Sequence, residues 1–175
     1  MRWEMLFADL EGQLDAARSA AVRFDVAELT RAERARVHLV DRLRASLGRD
    51  LRVHVADPSV HPLGVVEGRL VDAAVEWFLL TAGTGVQVLV PVGAVRAVRG
   101  LASQVAPDAG AVERRLGLGH VVRALARDRA DVQVLTEAGV LAGRIDSVGA
   151  DHLELAVGGS SWWVPFAAVL LVRSS

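Results

Sequence analysis

Apolar residues recur at helical spacing over the first part of the chain and at every second position thereafter. Trp3, Leu6, Phe7, Leu10 and Leu14 form one stripe, with Glu4, Asp9, Glu11 and Asp15 placed elsewhere around the turn. A second stripe runs through Ala32, Ala35, Leu39, Leu43 and Leu47. Thr30 and Glu33 before it are spaced for a reciprocal capping box, and Gly48 supplies the stop. This pattern predicts a helical hairpin over residues 1–48. The period then falls to two. The runs "RVHV", "GVVEGRLVD", "VEWFLL", "VQVLVP" and "AVRAVR", with "TAGTG" as a turn, predict a small five-stranded barrel over 49–101. "ASQVAPDAG" reads as a linker and "AVERRLGLGHVVRALARD" as a third helix, weakened by Gly117 and Gly119; together they fill 102–130. Strand periodicity returns over 131–175, predicting a second small barrel.

The two barrel segments repeat one pattern. "GRLVDAAVEWFLL" begins at Gly68, and "GRIDSVGADHLEL" begins 75 residues later at Gly143. Phe78 and Leu80 correspond to Leu153 and Leu155, Val90-Pro91 to Val164-Pro165, and Val95 and Val98 to Val169 and Val172. Pro165 follows Pro91 by 74 residues, so one residue is missing from the turn between the matched blocks. Faces that alternate in step across several strands point to a duplicated unit.

"VQVLTEAGVLAGRIDSVGADHLEL" followed by "VPFAAVLLV" resembles the Sm-like fold of bacterial Hfq and the LSm proteins. Gly143, Ile145 and Asp146 stand where that family bends its barrel, as do Gly68, Leu70 and Asp72 in the first copy. The resemblance covers about half the chain. It implies an α+β fold: an N-terminal helical hairpin plus two tandem five-stranded Sm-like or SH3-like β-barrels joined by a helix. It also implies binding of RNA. The family's RNA contacts include an Asn-Gly turn and a basic Tyr-Lys-His segment, whereas this chain has Ala138-Gly139 and Val164-Pro165-Phe166 there. The first copy has Leu63-Gly64 and Val90-Pro91-Val92. None of the family's contact residues carries over. The opening "RWEMLFADLE" and the later "RAERAR" and "LVDRLRA" also resemble an uncharacterised actinobacterial family, which implies no function.

Composition narrows the chemistry. The 175 residues are 52% hydrophobic and 23% charged, enough for a substantial core, and only 5% aromatic. A net charge of −1 offers no bulk attraction to a polyanion, so any nucleic-acid site has to be a local patch. Cysteine is absent, which removes disulfides, thiolate metal sites and a thiol nucleophile; every basic side chain is arginine, which removes a phosphate-loop or Schiff-base lysine. The start "MRWEMLFADLEGQL" mixes acids into its apolar stripe, unlike a secretory leader, and Gly-Thr-Gly interrupts the most apolar stretch. The expectation is a soluble cytoplasmic protein.

No motif builds a catalytic, cofactor or metal site. His54, Asp57 and His61 lie in a proline-flanked loop, and Ser147, Asp151 and His152 are adjacent without the supporting geometry of a triad. The chain is therefore expected to be neither an enzyme nor a cofactor carrier. Two binding surfaces remain. With Phe78 and Leu80 inward, Trp77 and Leu79 point outward; of the neighbours Trp162 and Trp163, one has to face away from its own core. With Trp3 and Leu10 on the first helix, these residues are the candidate interface for a protein partner or a second copy. The alternative is a nucleic-acid patch of Arg114, Arg115, His120, Arg123 and Arg127 on the third helix. The leading expectation is thus a non-enzymatic interaction or scaffold module, and the alternative an RNA- or DNA-binding regulator. No membrane or metal partner is expected.

Overall fold

The computed structural model describes residues 35–174 apart from 84, 108–109 and 111–115. The chain divides into Met1–His38 and Leu39–Ser175. Most of the expected helical hairpin, including Trp3 and Leu10, lies outside the described residues. Within them, α1 (Leu39–Arg44) buries Leu43. Just beyond it, the buried Ser46 Oγ donates to Arg42 O at 2.6 Å and accepts from Ala102 N at 2.8 Å, tying the helix to the segment after β5.

Ten strands follow: β1 (Asp50–His54), β2 (Val65–Ala73), β3 (Trp77–Ala82), β4 (Val86–Pro91), β5 (Ala97–Arg99), β6 (Asp131–Thr136), β7 (Gly139–Val148), β8 (His152–Val157), β9 (Ser160–Pro165) and β10 (Val169–Ser174). A single longer helix, α2 (Leu118–Arg127), stands between β5 and β6 among the described residues. The strands form one antiparallel sheet in the order β5-β1-β2-β3-β4-β10-β6-β7-β8-β9. This corrects the expected pair of separate barrels joined by a helix. The two halves are joined by strand pairing, Leu89 opposite Val172 and Gln87 opposite Ser174. The physical reason lies in β4 and β10. Val88, Leu89 and Val90 are all buried, as are Val169 to Val172, so both strands are apolar on both faces. Such strands belong inside a sheet, and neither can form an outer edge without exposing that surface.

The two halves nevertheless share one strand order, β5-β1-β2-β3-β4 and β10-β6-β7-β8-β9. In each, the long second strand breaks register at the same place, between Leu70 and Asp72 and between Ile145 and Ser147. Each also makes a 3-10 turn before its last strand, at Val92–Ala94 and Phe166–Ala168. The repeated glycine has a steric cause. A Cβ on Gly68 would lie 2.5 Å from Thr81 O, and one on Gly143 would overlap Ala156 O. The neighbouring backbone crosses too closely for any side chain. The arginine after each glycine meets an aspartate on the first strand: Arg69 with Asp50 at 3.7 Å, Arg144 with Asp131 at 3.9 Å.

Two hydrophobic clusters fill the faces. The first centres on Leu43, Leu51, Val53, Leu70, Phe78 and Leu80, and takes Leu170 and Leu171 from β10. The second centres on Val134, Ile145, Leu153, Leu155 and Val164, and takes Trp77 and Leu89 from the first half and Leu118 and Val122 from α2. Each half therefore completes the other's core, which makes the halves interdependent.

Candidate functional site

The structure rearranges the expected interface. Phe78 and Leu80 do point into the first cluster, both fully buried. Trp77 and Leu79 face the other way, but not into solvent: Trp77 is only 5% exposed, and both pack against the second cluster. The expectation of an outward Trp77 is corrected by what lies beyond the sheet. Trp77 Nε1 donates to Leu116 O at 2.7 Å, and Leu118 N donates to Glu76 Oε2 at 3.0 Å, capping the start of α2. Glu76 at the end of the β2–β3 turn and Trp77 at the start of β3 thus fasten the helix over the strand. Trp77 is a structural anchor, and Leu79 a packing residue under the second half.

Trp162 and Trp163 behave differently. They are 50% and 64% exposed, among the largest uncovered apolar side chains described. Their strand, β9, is an outer edge, paired among the described residues with β8 alone. The Gly158–Gly159 turn, both residues with positive φ (57° and 83°), closes the β8–β9 hairpin between Val157 and Ser160. Counting from that hydrogen-bonded pair, Trp162 and Val164 also bond to Leu155 and Leu153 on β8. The N–H and C=O groups of Ser161 and Trp163 therefore point outward from the edge. Pro165, which has no N–H, falls on a position that gives β8 none.

Beside β9 opens an apolar recess of about 900 Å³. Its walls are Trp162 and Trp163, the Phe166–Ala168 turn, Val140 and Leu141 from the start of β7, and Pro91 and Ala94 from the first half. Arg96 and Glu137, paired at 3.7 Å, supply the charge at its rim. In the first half, the equivalents Val65, Val66 and Val88 line a space of only about 100 Å³, with Leu171 and Arg173 of β10 on its other side. Position for position, Val88 and Leu89 stand where β9 has Trp162 and Trp163, and each is 2% exposed. The same site in the fold is covered in one half and open in the other. The doublet "WW" was readable in the sequence; the recess was not, because its walls come from three separate stretches of the chain.

Of the basic patch, Arg114 and Arg115 lie outside the described residues. His120, Arg123 and Arg127 are exposed on α2. The Arg123 guanidinium donates to Gly149 O at 3.1 Å, which fastens α2 to the β7–β8 turn. The structure thus brings those three residues to one helix but gives one of them a packing task.

The remaining candidates form no catalytic constellation. Ser147 Oγ donates to Glu154 Oε2 at 2.9 Å rather than meeting His152, whose Nδ1 lies 2.8 Å from Asp151 Oδ1. That contact to His152 holds the exposed Asp151 carboxyl below the ordinary aspartate value. Asp57 accepts from Ser59 Oγ at 2.7 Å and Ser59 N at 2.9 Å, which lowers its pKa and closes a local turn. Among the described residues, no group of three or more His, Asp or Glu side chains is placed to hold a metal ion. Nor is any described helix long and apolar enough to cross a membrane. No protein-family model matches the chain, and no curated protein matches it.

Proposed function

We propose that the chain is a protein-interaction module whose working surface is the open edge of β9 and the recess beside it. One observation carries this reading: Trp162 and Trp163 are half or more exposed where their counterparts Val88 and Leu89 are buried. Edge strands are usually blunted by charge, because an unpaired row of N–H and C=O groups templates pairing with another chain. β9 reads Ser-Ser-Trp-Trp-Val-Pro and carries no charge at all. Tryptophan is the residue most often found as an interface anchor, and a strand edge beside an apolar recess suits an extended partner segment. The reading assigns no catalytic step.

The test is capture from native cytosol on immobilised protein, with and without nuclease, comparing wild type with Trp162→Ala/Trp163→Ala. The expected result is a set of proteins retained after nuclease and lost with the double variant. An interface tryptophan is worth about 2 kcal/mol or more, which is about thirtyfold in affinity. Identical capture by both forms contradicts the reading. Capture abolished by nuclease transfers the function to His120, Arg123 and Arg127.

A further inference from the structure

We infer that the occupant of the β9 edge is the β5 edge of a second copy of this chain, pairing as β4 and β10 pair within one. The inference rests on the reading of β9 as the docking surface and names its partner. Its ground is the sheet order. Each half runs from a last strand, through its first, second and third, to its fourth; the fourth strand of the first half (β4) pairs with the last strand of the second (β10). The two strands left at the outside, β9 and β5, are again a fourth strand and a last strand. The sheet ends in the two components of a seam it has already built once.

The register can be carried over. Within the chain, Leu89 lies opposite Val172, Val88 opposite Arg173 and Gln87 opposite Ser174. The corresponding positions between copies are Trp163 opposite Val98, Trp162 opposite Arg99 and Ser161 opposite Gly100. The backbone agrees. Arg49 and Val55, which flank β1, bond to Leu70 and Gly64, so the alternate residues Arg52 and His54 bond to Arg99 and Ala97. The N–H and C=O of Val98 are left facing outward, as those of Trp163 are on β9.

The side chains are exchanged in a compensating sense. Inside the chain, a small Val88 and a large Leu171 from β10 line the same space of only about 100 Å³. At the outer edges the small partner has become Trp162 and the large one Ala97. At these positions the bulk has moved from the last strand to the fourth, while Trp163 in place of Leu89 adds apolar surface opposite Val98. Arg99, which is exposed, would lie over the Trp162 ring, a favourable cation–aromatic contact. Because every copy offers one β5 and one β9, pairing is head-to-tail and continues past two chains.

The experiment is sedimentation velocity over a concentration series with wild type, Val98→Pro and Ser161→Pro, singly and mixed. Both prolines replace outward N–H groups, so neither removes a bond of the sheet, and equal unfolding midpoints verify this. Wild type is expected to grow beyond two chains as concentration rises, and each proline variant alone to stay at one. An equimolar mixture, with one free β9 and one free β5, is expected to form a two-chain species and stop. Arg99→Glu, which leaves the backbone untouched, is expected to shift assembly to at least about tenfold higher concentration. Wild type remaining a single chain at all concentrations overturns the inference, and so points to another occupant, such as residues 1–34 of the same chain. A mixture that stays at one chain, or a proline variant that assembles like wild type, also overturns it. If wild type is monomeric but the tryptophan variant loses captured protein, the docking surface stands and only its self-pairing falls.

Discussion

Leu171→Ala tests the seam that makes the sheet continuous. Leu171 belongs to β10, at the far end of the chain, yet it is 1% exposed within the first half's cluster. It lies beside Val88, Val65 and Val66, next to a residual space of about 100 Å³. Burying a leucine there contributes transfer free energy, and truncation adds a cavity that merges with space already present. Leu→Ala at such positions costs about 2–5 kcal/mol, and limited collapse across a strand seam places this one at about 3–4. With a urea dependence of about 2 kcal/mol per molar, the unfolding midpoint falls by roughly 1.5–2 M. Both halves share the loss, so tryptophan fluorescence and far-ultraviolet dichroism are expected to shift together in a single transition. Val140→Ala, at a side chain left 45% exposed, serves as control and is expected to change stability by about 0.5 kcal/mol or less. A loss below about 1 kcal/mol for Leu171→Ala, or a transition that splits with one half unmoved, would refute the seam.

Other expectations follow from the same geometry. Gly143→Ala forces a methyl group onto the Ala156 carbonyl and is expected to cost about 1–3 kcal/mol or more by chemical denaturation; a neutral substitution would show that the crossing is looser. Trp77→Phe removes the donor to Leu116 O while keeping an aromatic ring, so it is expected to cost about 1 kcal/mol and to leave partner capture unchanged; loss of capture without loss of stability would return Trp77 to the interface. Asp57 is held below the ordinary aspartate pKa by Ser59 Oγ and, second, by Ser59 N. A depressed carboxylate stabilises the fold above its unfolded value and loses that contribution as pH falls through the folded one, so Ser59→Ala is expected to raise the Asp57 titration midpoint seen by carbon-13 chemical shift. An unchanged midpoint would remove the hydroxyl as the cause.

Alternation made Phe78, Leu80, Leu153 and Leu155 readable as inward, because a half-buried strand writes its core face at every second residue. The same rule put Trp77 on the opposite face, as the structure has it, but left it uncovered. Alternation says which face a side chain occupies, but not that α2, some forty residues later, covers that face. The joining of the halves was written in Val88-Leu89-Val90 and in Val169-Leu170-Leu171-Val172, which leave no polar face. Their pairing is non-local, so no turn residue announces it. A clean five-strand repeat instead suggested two closed units. At the site, the adjacent tryptophans of β9 stood out in one dimension, whereas the recess needed the 3-10 turn, the β6–β7 turn and the first half to be brought together.

Among the described residues the two outer edges are the counterparts of an internal seam, and in the proposed assembly they pair with one another between copies. Amide hydrogen exchange at Ser161, Trp163 and Val98, followed as protein concentration rises, tests it at the bonds concerned. Fast exchange at all three is expected in dilute solution, with joint protection on concentration, while the Leu89 and Val172 amides stay protected throughout. Exchange that remains fast at every concentration, or protection confined to one edge, would contradict it.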